Sequence, residues 1–315
     1  MGNENLINLG KTGIKISRIG LGIMQWRDVP LGQPDAPNDK NIEQIYQITL
    51  DGGINFFDTA EMYGNGVSEI HLGRCIKNAP ANIIIATKFM PFPWRLSKGD
   101  LRAALLRSLK RLELTQVDLY QMHWPFPPLA ISSWMDAMAD AYSAGLIRAV
   151  GVSNYSPAQT QQAYEALSKR SIPLASNQVR FSLLTRRPER SGLVDLCQNL
   201  GVTIIAYSPL EKGILAGKYS PEYLPAGIRA WRYNRSYLMK VKPLLDTMRM
   251  IGEAHSGATY SQVALNWLVC KGAVPIPGAR STIQSRENAG TLGWQLSDEE
   301  VDKLDRISEE VTGQD

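Results

Sequence analysis

Aspartate, tyrosine, lysine and histidine together can protonate a carbonyl oxygen, and this chain offers three of these at strand ends and the tyrosine on the loop just after the first. The stretch from Gly53 to Glu69 reads G-I-N-F-F-D-T-A-E-M-Y-G-N-G-V-S-E. Its apolar run Ile54 to Phe57 switches abruptly to Asp58, Thr59, Glu61 and Tyr63, then to the loop glycines Gly64 and Gly66, as a buried strand opening into a functional loop does. A carboxylate there is costly unless paired, so Asp58 calls for a cationic partner. Two later runs supply it and one group more: Ile83 to Thr87 ends on Lys88, and Val117 to Met122 ends on His123. A phenol, with an unperturbed pKa of about 10, is a poor acid near neutrality, but a nearby ammonium lowers that value. Tyr63 is therefore the candidate general acid, Lys88 its tuner, Asp58 the counter-charge and His123 the group that polarises the carbonyl. Carbonyl reduction also needs a hydride. No side chain carries one, so a cofactor is required.

The elements that position these groups alternate. A short hairpin, Leu6 to Leu9 and Ile14 to Ile16, precedes a first barrel strand from Arg18 to Gly22 and a helix from Asn41 to Leu50. The Asp58 strand is followed by a helix from about Ser68 to Lys77, and the Lys88 strand by a helix carrying Leu101, Leu105, Leu109 and Leu112 on one face. Past His123 come helix Ser132 to Ser143, strand Ile147 to Ser153, helix Ser156 to Ser168, strand Leu174 to Val179, helix Ser191 to Leu200 and strand Val202 to Tyr207. A long segment then leads to helices Lys242 to His255 and Ser261 to Lys271, strand Val274 to Ile276 and closing helices. Eight strands alternating with helices, with reactive groups at successive strand ends, favour a (β/α)8 TIM barrel with an N-terminal β-hairpin over an open sheet. A Rossmann sheet would show G-x-G-x-x-G in its first turn; Gly20-Leu21-Gly22 lacks the third glycine.

Bulk properties set the frame. At 315 residues, 44% hydrophobic and 20% charged, the chain suits one barrel domain over residues 1–315. Thirty-four basic against thirty acidic residues leave +4, too mild to imply nucleic-acid or membrane binding. Cys75, Cys197 and Cys270 lie far apart and read as buried thiols of a reducing compartment. With no leader-like N-terminus and no membrane-length apolar run, the expectation is a cytoplasmic protein. His71 and His255 have no spaced partners and read as surface positions; no metal site is expected. Trp267 and Trp294 read as packing residues.

The motifs F-D-T-A-E-x-Y-G (Phe57 to Gly64), A-T-K (Ala86 to Lys88), D-L-Y-Q-M-H-W-P (Asp118 to Pro125), G-V-S-N-Y (Gly151 to Tyr155), A-Y-S-P-L (Ala206 to Leu210) and I-P-G-A-R (Ile276 to Arg280) occur in order, each at a strand end. In these the chain resembles the aldo-keto reductases, from about Leu6 to about Ile307. The resemblance implies a nicotinamide cofactor held by Ser153, Asn154 and Gln178 at the carboxamide, with Tyr207 stacked on the ring. It further implies Ser208, Leu210, Gly213 and Lys218 along the pyrophosphate. Pro277, Gly278, Arg280, Ser281, Gln284, Glu287 and Asn288 would take the adenosine end, with Arg280 on the 2′-phosphate. One departure stands out: better-known members place lysine at the position of Gly278 and arginine at that of Gln284. The I-P-G-A-R ending, with Arg280 and Ser281, resembles bacterial and plant members and favours NADPH.

The segment Glu211 to Lys240 is long for a βα loop, and its Arg229, Trp231, Arg232, Tyr233 and Arg235 would suit a lid over the cofactor. Trp26, Trp94 and Trp124, with Met90, are the expected walls of an apolar, aromatic substrate mouth for small uncharged carbonyl compounds. Three activities fit the sequence: an NADPH-dependent reductase of aldehydes or ketones, an NADPH-binding regulatory subunit resembling the β-subunits of potassium channels, and a Schiff-base aldolase using Lys88.

Overall fold

The computed structural model describes residues 5–26, 37–77, 82–127, 129–227, 231 and 233–313. An antiparallel hairpin, β1 (Leu6–Asn8) and β2 (Lys15–Ser17), comes first. Eight parallel strands follow: β3 (Leu21–Gly22), β4 (Phe56–Asp58), β5 (Ile84–Phe89), β6 (Val117–Met122), β7 (Ile147–Ser153), β8 (Leu174–Arg180), β9 (Thr203–Tyr207) and β10 (Ala273–Pro275), paired in sequence order. Between them run α1 (Asp39–Asp51), α2 (Val67–Ile76), α3 (Lys98–Leu112), α4 (Ile131–Ser143), α5 (Pro157–Ser168), the short α6 (Arg187–Arg190) with α7 (Leu193–Leu200), then α8 (Arg235–Ala254) and α9 (Tyr260–Cys270). The chain closes with α10 (Thr282–Ala289) and α11 (Asp298–Thr312).

The seam of the barrel has a chemical peculiarity. Gly20 N–H donates to the Pro275 carbonyl at 2.9 Å and Gly22 N–H to the Pro277 carbonyl at 3.0 Å, which links the first barrel strand to the last. Pro275 and Pro277 have no N–H to return, so the bonds there run one way and β3 is only two residues long. Glycine is needed at the close approach: a Cβ on Gly22 would lie 2.9 Å from the Ile276 carbonyl oxygen.

Inside the barrel, side chains are layered. Leu9, Ile14 and Ile16 of the hairpin region pack against Phe56, Ile84, Ala86, Leu119, Ala149, Ala175, Ile205 and Val274, one or two inward residues from each strand from β4 to β10. The hairpin therefore plugs the N-terminal end of the barrel, each such large side chain contributing roughly 1.5–3 kcal/mol. Two residues further along β4, β5 and β6, the same inward phase turns polar: Asp58 after Phe56, Lys88 after Ala86, Gln121 after Leu119.

The outer shell follows the amphipathic pattern. Helix α3 starts at a capping box between Ser97 and Asp100 and buries Leu101, Leu105, Leu109 and Leu112, as their spacing requires. Helix α8 differs from expectation. It begins at Arg235 rather than Lys242, because Asn234 caps it and Pro243 is accommodated inside; Arg235 and Lys240 are thus helical. The helix expected from Ser191 to Leu200 is α7, which starts at Leu193, and the short α6 stands before it. Among the described residues no helix is long and apolar enough to cross a membrane, and no cluster of His, Cys, Asp or Glu could hold a metal ion.

Candidate active site

At the carboxyl end of the barrel the strands bring Asp58, Tyr63, Lys88 and His123 together. Lys88 Nζ donates to Asp58 Oδ2 at 2.5 Å, to the Thr59 carbonyl at 2.8 Å and to the Tyr63 hydroxyl at 3.4 Å. Both members of the ion pair are buried, so the charges are compensated inside the protein rather than by water. The Tyr63 and His123 rings meet edge to face at 5.9 Å, and His123 Nδ1 is buried without a hydrogen-bond partner among the described residues. Asp58 is the last residue of β4 and Lys88 the penultimate residue of β5.

The electrostatics refine the sequence expectation. Burial raises the Tyr63 hydroxyl above its ordinary value; the Lys88 ammonium opposes this, Asp58 adds to it, and the rise prevails. Tyr63 is therefore held as a protonated phenol rather than drawn toward phenolate, since desolvation outweighs a single ammonium that Asp58 already neutralises. Burial alone would lower Lys88, but the Asp58 charge, the Tyr63 hydroxyl and their hydrogen bonds leave it raised. Burial, and then the Lys88 charge, push His123 down to about 3, so the imidazole is neutral.

Beside this group the candidate cofactor residues line up along the strand ends. Ser153 donates to the Gln178 carbonyl at 2.8 Å. Asn154, at φ 63°, donates to the His123 carbonyl at 3.1 Å and to Ser153 Oγ at 3.0 Å, and accepts the Tyr207 hydroxyl at 2.9 Å. Gln178 also reaches the acid side, donating from Nε2 to Asp58 Oδ1 at 2.7 Å. After β9, Ser208, Glu211, Lys212 and Gly213 all take left-handed φ values of 53°, 44°, 56° and 98°. Such strain in non-glycine residues needs anchoring. The buried Glu211 carboxylate supplies it, accepting both guanidinium ends of Arg180, Ser182 Oγ at 3.0 Å and Thr185 Oγ1 at 2.8 Å. Leu210 lies within this turn, directly before Glu211; Lys218 is exposed, its ammonium 5.8 Å from the Tyr219 ring.

The segment after β10 is contiguous. Pro277 accepts from Gly22, Ser281 caps α10 through Gln284 N–H at 3.3 Å, and the Gln284 side chain accepts from Arg280 N–H at 2.8 Å. Asn288 donates to the Gly278 carbonyl at 3.4 Å, and the Glu287 carbonyl accepts from Gln262. A Cβ on Gly278 would lie 2.2 Å from Gln25 Nε2, so a lysine there would require Gln25 to move.

With the fold and the strand-end residues in view, comparison with known proteins decides the kinship: the profile of the aldo/keto reductase family matches residues 18–309. The chain belongs to the aldo/keto reductase family. It is 39% identical over 310 residues to the chloroplastic pyridoxal reductase of Arabidopsis thaliana, covering 94% of this chain and 84% of that one. Among solved structures it resembles the glycerol dehydrogenase of Gluconobacter oxydans, at TM-score 0.85 and 27% identity over 99% and 98% of the two chains. An aldo-keto reductase of Klebsiella pneumoniae in complex with NADPH aligns at TM-score 0.72 and 25% identity, over 98% and 96%.

In this aldo/keto reductase the expected mouth divides. Trp94, 70% exposed, stacks on Phe92 at 4.5 Å, and Trp124, 36% exposed, stacks on Phe126 at 5.3 Å. Trp26 differs: it is 1% exposed and packs in the core, so it is not an open wall of the described mouth. A clamp absent from the sequence reading holds the Trp94 loop. Arg95 donates to Glu61 Oε1 at 2.5 Å, to Glu61 Oε2 at 3.0 Å and to the Met90 carbonyl at 2.7 Å, while Met90 N–H donates to Glu61 at 2.8 Å. Glu61 stands two residues before Tyr63, so the clamp ties the Trp94 loop to the segment that carries the candidate acid. Arg95→Met is expected to raise KM for a carbonyl substrate several-fold at little change in kcat, measured at saturating nicotinamide cofactor; an unchanged KM would make the clamp irrelevant to the mouth.

The remaining sequence expectations also find places. His71 and His255 are partly buried and each meets one carboxylate, His71 at 3.2 Å from Asp39 and His255 at 2.9 Å from Glu300. Trp267 is buried and donates to Asp305, and Trp294 is partly buried. The three cysteines are free, with Cys197 fully buried and the other two partly so. Of the segment expected to act as a lid, Arg229 and Arg232 lie outside the described residues, Trp231 is 93% exposed and Tyr233 is buried against Tyr237.

Proposed function

We propose that the protein reduces aldehyde or ketone carbonyls to alcohols with NADPH, using Tyr63 as general acid. The observation that carries this reading is the buried Lys88–Asp58 pair with Lys88 Nζ 3.4 Å from the Tyr63 hydroxyl. The cofactor fits the donor set: Ser153, Asn154 and Gln178 for the carboxamide, Tyr207 for the ring, the left-handed turn from Ser208 to Gly213 with Leu210 and Lys218 for the pyrophosphate, and the run Pro277 to Asn288 for the adenosine end. NADPH, when bound, supplies the hydride. Tyr63 gives its proton to the carbonyl oxygen, and neutral His123 donates a hydrogen bond to the same atom. Lys88 stabilises the phenolate left behind, while Asp58 keeps that ammonium in place. The family and the relative bound to NADPH support the cofactor class.

The stacked aromatics around Trp94 and Trp124, together with the similarity to a pyridoxal reductase, make planar aromatic aldehydes the first substrates to try. A Schiff-base role for Lys88 is disfavoured, since its raised pKa keeps it a non-nucleophilic ammonium. The test is fluorescence titration with NADPH and NADH followed by absorbance decay on adding pyridoxal or a simple aromatic aldehyde. Turnover supports the reading; tight NADPH binding with no carbonyl turned over would overturn it in favour of a cofactor-binding regulatory subunit. Arg280→Ala is expected to weaken NADPH by about 1–3 kcal/mol, the strength of a charged hydrogen-bonded contact, and NADH hardly at all. Equal losses for the two cofactors would move the 2′-phosphate elsewhere.

A further inference from the structure

Asp58 is held from two sides, and only one of them belongs to the candidate catalytic four. Its Oδ2 faces Lys88, while its Oδ1 accepts from Gln178 Nε2 at 2.7 Å and from Gln121 Nε2 at 3.2 Å. Gln121 is itself steadied by Ser176, whose hydroxyl donates to Gln121 Oε1 at 3.3 Å. All of these side chains are buried. An amide in the middle of a barrel is costly unless both its ends are satisfied, and here both are.

Two backbone features make the arrangement possible. Pairing between β7 and β8 slips at Val150 and Gly151: Val150 opposes Leu174, whereas Gly151 opposes Ser176. The extra residue, Ala175, is a bulge that reverses the alternation, so Ser176 and Gln178 turn inward after Ala175 has done the same. Gly151 then leaves the room they need. A Cβ there would lie 2.5 Å from Ser176 Oγ and 2.8 Å from Gln121 Cγ.

We infer that Gln121 is a positioning residue of the reductase: with Gln178 it pins Asp58 Oδ1, so that Oδ2 stays on Lys88 and Lys88 stays on Tyr63. The physical need is plain. The carboxylate torsion is sp³–sp² and broad, so an unheld Asp58 would swing and carry the lysine contact with it. The inference rests on the proposed reductase reading for its kinetic consequences, but the Gln121–Asp58 coupling itself does not.

The test uses Q121L and Q121E in the full chain. Q121L removes the donor and is expected to lower kcat about tenfold, the equivalent of one hydrogen bond to a charged group, with the NADPH dissociation constant unchanged. Q121E keeps the shape. The charged and titratable groups facing it are Asp58 from β4 and Lys88 from β5, with Tyr63 and His123 at the strand ends beyond. Burial and the Asp58 charge favour the neutral form of the new carboxyl, with Lys88 opposing; neutral, it can donate to Asp58, and ionised it repels it. Activity of Q121E is therefore expected to persist in acid and fall as pH rises, through a limb that the unaltered protein lacks. A merely space-filling Gln121 would give no such limb.

A second readout needs no turnover. Losses of thermal stability in Q121L, Asp58→Asn and the double variant should not add, because the two side chains share one hydrogen bond. Additive losses together with a wild-type kcat in Q121L, or a wild-type pH profile in Q121E, would overturn the inference. Absence of carbonyl turnover in the unaltered protein would sink the reductase reading alone, and the unfolding cycle would then decide the role of Gln121.

Discussion

Tyr63→Phe is expected to abolish carbonyl reduction while NADPH binding stays within a few-fold of its original strength. The substitution removes one oxygen and keeps the ring that meets His123 edge to face at 5.9 Å. A general acid contributes about 10²–10⁴ in rate, and neither neighbour replaces it. Lys88 is tied to Asp58 and held charged, and His123, pushed down to about 3, carries no extra proton at neutral pH. Because burial raises the Tyr63 hydroxyl, the acid is fully protonated at neutral pH, and reduction should weaken only as pH climbs through that raised value. His123 should add no limb over about pH 5 to 8, since it is already neutral there. Single-turnover decay of bound NADPH after mixing with an aldehyde measures the loss directly. Retention of the hydride step in the variant would remove Tyr63 from the acid's role, and a parallel collapse of NADPH binding would make the residue structural.

Lys88→Met should destabilise the protein by about 3–5 kcal/mol, because it leaves the Asp58 carboxylate buried against two amides and no cation. Activity should vanish as well, but the stability loss discriminates. Asp58→Asn alone strands the ammonium in the same way. In the double variant Lys88→Met, Asp58→Asn, neither charge remains, and the melting temperature is expected to recover part of what either single change cost. A double variant no more stable than the worse single one would mean that packing, rather than an uncompensated charge, sets the loss. Reduction should stay absent in both variants that carry Lys88→Met, since the Tyr63 hydroxyl has then lost the cation that stabilises its phenolate.

Much of this arrangement was legible in the order of residues. Apolar runs ending abruptly on Asp58, Lys88 and His123 place three reactive groups at successive strand ends, because a buried parallel strand can be read from its composition and its polar terminus. The eight βα units follow from the same alternation, and α3 from a capping box and four leucines. Gln121 was within reach too. It lies two residues before His123 and two after Leu119, in the inward phase of β6, and period two alone assigns it to the barrel interior.

Other features depend on terms that no local pattern contains. The inward turn of Ser176 and Gln178 arises from a bulge, which is a property of how β7 and β8 pair rather than of either strand's own sequence. The seam carries one-way bonds because Pro275 and Pro277 come to lie opposite Gly20 and Gly22, residues more than 250 positions away. Trp26 has the composition of a pocket wall and the burial of a core residue. The direction in which Tyr63 titrates is a balance as well: sequence supplies the lysine that lowers it, and only packing supplies the desolvation that raises it further. The sequence by itself determined which groups stand at the mouth of the barrel and at which strand ends. The tertiary structure decided how they are held and in which protonation state, because pairing register and burial are set by distant parts of the chain acting together.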